Sequence, residues 1–338
     1  MRTQLGNVPA LDGIRAIAIL YVIAFHFFGV AGGATGVDIF FVLSGFLITT
    51  LLLEERARTG RIQLGAFYVR RARRLIPALA VAIAAYLIAT AAVGEDRVMV
   101  ALLGASYVAN ILMAAGSTMF RESGLIHLWS LAEEEQFYLL WPVLLLAVVR
   151  IRRGLLLLVL VYLLLSVSRA ELFVHGASIQ RIYDGPDTRA TALIAGSILA
   201  LYRLQRGLLV GEWAGKVGAG ALLFGALFGW AIAPWPIIGQ PVFEVGIALL
   251  IAAAVNETSL ASGLALGPLV WVGQRSYSLY LWQLPLGACA YVLGDGLLAT
   301  GIALPLSFLC ASLSYRFVEQ PFRYRRHRTA ALPATVTA

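Results

Sequence analysis

Apolar runs of bilayer-crossing length recur along the whole chain, and that pattern leaves few folds open. A hydrocarbon core about 30 Å thick takes roughly 20 residues of α-helix, and backbone in lipid must satisfy its own hydrogen bonds. The chain therefore reads as an all-α, polytopic membrane protein, with about ten transmembrane helices in one bundle. Spans are expected at 10–30, 37–54, 75–93, 129–149, 154–169, 189–204, 216–233, 241–255, 268–292 and 297–317. The stretch 98–115 is also apolar, but it carries Ser106, Tyr107 and Asn110 and is expected to be re-entrant or interfacial. Composition agrees. Of 338 residues, 60% are hydrophobic and 13% charged, against about 45–50% and about 25% in a soluble domain.

The net charge is +8, and Lys216 is the one lysine among 26 basic residues. The arginines gather at the ends of apolar runs: Arg56 to Arg74, Arg150 to Arg153, Arg203 with Arg206, and Arg316 to Arg328. If 98–115 does not span, all four clusters fall on one side, which places both termini in the cytoplasm. The expected location is the cell inner (cytoplasmic) membrane, multi-pass. Basic residues placed this way are a topology signal with lipid contacts, so no nucleic-acid partner is read. Cys289 and Cys310 lie inside apolar stretches, so neither a disulfide nor a metal site is read. The first 34 residues have the outline of a signal peptide, but an ionisable His26 in the apolar run argues against it. No linker or repeat is visible. One membrane domain is expected over 1–328, with a disordered tail over 329–338.

Ionisable groups inside spans are costly, so each is a site hypothesis. The first span holds Asp12, Arg15 and His26; the second opens with Asp38; the fourth holds Glu133, Glu134 and Glu135. Arg15 and His26 are 11 residues apart, which is about 20° past three full turns, so they share a helix face about 16 Å apart along the axis. His26, Asp38 and Glu134 each fall within a few residues of an outer span end, which suggests one shared depth. A histidine with carboxylates in a dry setting suits general-base catalysis, the base taking a proton from an alcohol that attacks an acyl carbonyl. The competing reading of such a histidine is a structural hydrogen bond between helices. His127 is expected at an outer helix edge, and His175 and His327 in loop and tail, leaving His26 as the histidine within the bundle. At the inner end Arg70, Arg71, Arg73 and Arg74 precede the third span. Arginine grips phosphate through two parallel hydrogen bonds, so Arg70, Arg71 and Arg74, with Arg15 deeper, are candidates for binding a phosphorylated donor such as acyl-CoA. The competing reading is topology and lipid headgroups.

Seven blocks then follow in an order that resembles the acyltransferase 3 family, membrane enzymes that O-acylate sugars and related hydroxyl compounds. They are LDGIRAIAILYVIAFH, which ends at His26; GVDIFFVLSGFLIT (36–49); FYVRRARRLIPAL (67–79); HLWSLAEEEQFYLLWP (127–142); DTRATALIAG (187–196); SYSLYLWQLP (276–285); and RFVEQPFR (316–323). The resemblance implies that His26 is the catalytic histidine and that Arg15, Arg71, Arg74 and Glu134 are essential. It implies acyl-CoA, commonly acetyl-CoA, as co-substrate, with no bound cofactor. Gln283 stands where many members carry histidine, which leaves His26 as the better base. Glu133 stands where a small or apolar residue is usual.

The expected activity is transfer of an acyl group, acetyl first, to a hydroxyl of a carbohydrate or glycosylated small molecule: a surface polysaccharide, a glycolipid or a natural product such as a macrolide. Trp129, Ser130, Tyr138, Arg189, Tyr277, Tyr280 and Trp282 are candidates for the acceptor path, with an interfacial aromatic belt as the competing reading. Asp12, Glu319 and Arg323 are read as structural. A homodimer is left open. Two other classes remain: a proton-coupled transporter of a small polar solute, against which no internal repeat or paired broken helices are seen, and a non-catalytic membrane scaffold.

Overall fold

The computed structural model describes residues 4–324 apart from 93, 95, 122, 209, 233, 234, 257 and 292–295, together with the backbone but not the side chains of 289–291 and 323–324. The tail at 329–338, His327 and the side chains of Cys289 and Arg323 therefore lie outside the described residues.

All regular structure among the described residues is helical. Helices α1 (Pro9–Phe28), α2 (Gly36–Thr59) and α3 (Leu64–Ala92) are followed by two short ones, α4 (Val98–Ala105) and α5 (Ala109–Ala114). Next come α6 (Leu128–Val148), α7 (Gly154–Val174), the short α8 (Ile179–Asp184), α9 (Pro186–Arg206) and α10 (Glu212–Phe228). The chain closes with α11 (Gln240–Val255), α12 (Ser259–Leu264), α13 (Gly267–Gln274), α14 (Ser276–Tyr291), α15 (Leu297–Ser314) and α16 (Gln320–Tyr324).

Among the described residues, six segments are long and apolar enough to cross a membrane: Pro9–Phe28, Ala31–Thr59, Leu64–Ala92, Gly154–Val174, Trp235–Val255 and Leu297–Phe322. The other four expected spans coincide with helices that fall short on a specific feature. α6 carries three glutamates, α9 carries Asp187, Arg189, Arg203 and Arg206, α10 has 17 residues, and α13 and α14 break at Arg275. The stretch 98–115 forms α4 and α5, of 8 and 6 residues, neither long enough to cross. They join at Tyr107, whose φ of 58° is rare for a residue with a Cβ.

α2 is the hub, packed on α1, α6, α9 and α11. Its contact with α9 is backbone-close. Gly45 of α2 lies against the Leu193 carbonyl of α9, and Gly196 of α9 against the Val42 carbonyl of α2. Small residues let helices in lipid approach this way, where burial of apolar surface gives no drive to associate. Leucines on the outer faces of α6 and α7, among them Leu140, Leu144, Leu160 and Leu164, stay exposed, as lipid-facing residues do.

Gly29, at φ 66°, ends α1 in a left-handed cap, its N–H and that of Val30 closing onto Phe25 and Ala24. The 3-10 turn Ala31–Thr35 then folds straight back into α2. That tight reversal sets His26 beside the start of α2.

Candidate functional site

Three cavities follow one another through the bundle, and neighbouring cavities share lining residues. The first, at the arginine-rich end, is lined by Arg58, Arg70, Arg71 and Arg74 with Glu54 and Glu55, and holds about 1250 Å³ of free space including its open mouth. Arg71 and Arg74 also line the second, central cavity of about 560 Å³. Val37 and Tyr280 line both the central cavity and the third, of about 1240 Å³ including its mouth, where His26 lies.

The central cavity gathers charge from three helices. Arg15 of α1, Arg71 of α3 and Glu134 of α6 all face it. The Ser44 hydroxyl donates to Glu134 Oε1 at 2.6 Å, and Tyr138 donates to Ser44 Oγ at 3.0 Å. The Arg71 guanidinium lies 4.6 Å from the centre of the Tyr138 ring, a cation–π distance. Arg15 is 3.8 Å from Asp12, one turn back on its own helix. Tyr277 also faces this cavity and donates to the Leu75 carbonyl at 2.9 Å. Arg70 is half exposed at the rim of the first cavity, 3.6 Å from Glu55.

The His26 cavity is different in kind. Aromatic rings form much of its lining: Phe25, Trp129, Tyr183, Trp230 and Tyr280. His127 lines it too and is buried, and among the described residues His26 Nδ1 has no hydrogen-bond partner. Gln283 is the polar side chain set against His26. His127 does sit at a helix edge, but it is buried in the bundle, so His26 is not the one histidine there. His127 caps the start of α6, its carbonyl accepts from the Tyr280 hydroxyl at 3.0 Å, and its ring turns into the cavity. The same Tyr280 hydroxyl pairs with Ser130.

The structure does not bring Asp38 or Glu134 to His26. Similar distance from a helix end fixes depth but not azimuth, and these side chains point to different neighbours. Glu134 belongs with Arg15 and Arg71 in the central cavity. Asp38 is wholly buried and lies 3.0 Å from an equally buried Arg189, with Gln240 donating to it at 3.4 Å. Arg189 therefore lines none of the three cavities. Its guanidinium carbon sits 5.0–5.6 Å from the rings of Phe41, Trp129, Tyr183 and Trp230. Trp282 lines none of the cavities either.

Sequence reasoning misses the continuation of that buried network. Arg169 of α7 donates to Pro236 O, Thr188 O and the Thr191 hydroxyl at 2.7–3.0 Å and lies 3.7 Å from Glu244 of α11. Gln240 donates to Glu244 at 3.0 Å. The signal was present, because Arg169 and Glu244 are charges inside expected spans, the criterion that singles out His26. Glu133 finds its explanation here as well. It accepts from Asn110 Nδ2 at 2.8 Å, and Gln136 donates to Asn110 Oδ1 at 2.9 Å and to the Tyr107 carbonyl at 2.8 Å, tying α5 to α6. Glu319 is buried and accepts from the Ser278 hydroxyl.

A family model described as an acyltransferase domain matches residues 8–316. The peptidoglycan O-acetyltransferase OatA of Listeria monocytogenes is 34% identical over 94% of this chain and 56% of its own length. The O-acetyltransferase OatA of Staphylococcus aureus is 34% identical over 96% of this chain and 58% of its own, and a putative O-acetyltransferase of the same species 33% identical over 94% and 57%. The chain thus spans a little over half the length of these relatives. No solved structure matches it significantly.

Proposed function

The chain belongs to this acyltransferase family, and from that premise we propose that it is a membrane O-acyltransferase that moves an acetyl group from acetyl-CoA to a hydroxyl of a carbohydrate or glycosylated acceptor. In this reading α6, α9, α10 and the α13–α14 pair cross the inner membrane beside the six apolar spans, both termini face the cytoplasm, and α4–α5 dips in from the opposite side. The donor arrives at the arginine-rich cavity, where Arg70, Arg71 and Arg74 take its phosphates. Its acyl arm passes Arg15 and Glu134 in the central cavity. The acceptor comes from the other side to His26.

One observation supports the reading: the three cavities share Arg71 and Arg74, then Val37 and Tyr280, so adjoining cavities run from an arginine cluster to a histidine. The chemistry balances along them. His26 takes the proton of the acceptor hydroxyl, the oxygen attacks the thioester carbonyl, the carbon–sulfur bond breaks, and the imidazolium returns the proton to the departing thiolate. With no carboxylate paired to His26 among the described residues, its orientation falls to Gln283 and the aromatic walls. The relative named a peptidoglycan O-acetyltransferase supports a carbohydrate acceptor.

The test is transfer from radiolabelled acetyl-CoA in proteoliposomes, assayed with cell-envelope glycans and with small glycosides. Label on an acceptor hydroxyl, lost in Arg71→Ala together with acetyl-CoA affinity, is the expected result. Solute uptake without any acyl transfer would replace this reading with the transporter.

A further inference from the structure

The His26 cavity carries features that a route for the acyl arm does not need. Asp184, the last residue of α8, faces it while only 2% exposed, and its Oδ1 has no hydrogen-bond partner. A buried carboxylate oxygen left without a donor is uncommon in a folded protein, and the Asp184 side chain borders the cavity. Tyr183, next to it in sequence, packs 4.9 Å from Trp129 and 4.7 Å from Trp230, ring centre to ring centre, and all three rings line the cavity. The Arg189 guanidinium, wholly buried and paired to Asp38, touches the same three rings without lining the cavity. It holds the wall from behind, so the rings are set before anything binds, which lowers the ordering cost of binding.

We propose that this cavity is the acceptor subsite, built for a neutral pyranose ring whose hydroxyls donate to Asp184 and whose C–H face lies on the Trp129–Tyr183–Trp230 wall. The proposal rests on the acyltransferase reading in one respect, that the bound ring presents a hydroxyl to His26. A concave, mostly aromatic lining with a few converging polar groups is the general form of a small-molecule site. Arg121 also lines the cavity and offsets the charge of Asp184, which favours a neutral ring over an anionic one. Arg189 and Asp38 are positioning residues for the wall.

The experiment is saturation-transfer NMR on the full-length protein in nanodiscs, with chitotetraose, maltotetraose and methyl α-mannoside as probes and sorbitol as the acyclic control. Ring protons of at least one pyranose probe should receive saturation and titrate, and sorbitol should not. Asp184→Ala and Trp230→Ala should each raise the Kd at least tenfold, and His26→Ala should leave it within threefold. Retention of acetyl-CoA-induced thermal stabilisation in Asp184→Ala shows that the variant is folded. Binding unchanged in Asp184→Ala, or no binding of any pyranose probe, overturns the subsite. If acyl transfer needs His26 while Asp184→Ala binds the pyranose and transfers the acyl group to it normally, the subsite falls alone. If transfer survives His26→Ala while sugar binding still depends on Asp184, the subsite stands and the catalytic reading falls.

Discussion

Asp38 and Arg189 lie 3.0 Å apart with no exposed surface on either side chain. Gln240 joins this pair to Glu244 and Arg169, so helices α2, α7, α9 and α11 share one buried charge network. Removing one partner leaves an uncompensated charge, at a cost of about 3–5 kcal/mol. Arg189→Ala is expected to lower the thermal midpoint sharply in detergent. Arg189→Gln combined with Asp38→Asn should lose less than the sum of the two single changes, because the two sites are in contact. Additive losses would mean the pair is not coupled.

The α2–α9 crossing gives a steric prediction. A methyl group at Gly45 or Gly196 would run into backbone carbonyls that neither helix can withdraw without parting. Gly45→Ala and Gly196→Ala should each reduce the folded, monodisperse fraction after extraction. Gly301→Ala, where a Cβ meets open space, should have no effect. Size-exclusion profiles of the three variants decide this.

Donor binding should track the shared arginines. Loss of a hydrogen bond to a charged group costs about 1.5–3 kcal/mol, so Arg71→Ala should weaken acetyl-CoA binding by roughly 10- to 100-fold. Arg70, half exposed and at the rim, should matter less. Calorimetric affinities for the two variants check the order, and a larger loss at Arg70 would contradict it.

Asp184 lies outside the spans, and burial pushes its carboxyl up to about 7 against the pull of Arg189 and Arg121. A carboxyl raised on folding contributes stability at low pH that is lost as pH rises through the folded value. The thermal midpoint of the wild type should therefore fall between about pH 4 and 7 relative to Asp184→Asn, whose amide does not titrate. Parallel pH profiles for the two proteins would show that Asp184 is not so perturbed.

Much of the architecture is legible in the sequence because lipid makes helix placement a one-dimensional problem: apolar runs give lengths and arginines give ends. The face shared by Arg15 and His26 is legible too, since one helix fixes it. What lies between helices is not. Depth suggests Asp38 and Glu134 as companions of His26, but azimuth sends Asp38 to Arg189 and Glu134 to Arg15 and Arg71. His127 sits at the helix edge that the sequence suggests, but a position just before a span looks exposed, whereas the turn before α6 folds its ring into the cavity. Asp184, in a six-residue helix outside any apolar run, gives no periodic signal at all.

The central claim is that His26 is the base. The direct measurement is acyl transfer by His26→Ala in proteoliposomes, alongside its acetyl-CoA affinity. Loss of a positioned general base should cut transfer by about 10²–10⁴-fold while acetyl-CoA affinity stays within threefold of wild type, because the arginine cluster is untouched. Wild-type transfer by a folded His26→Ala protein would contradict the account.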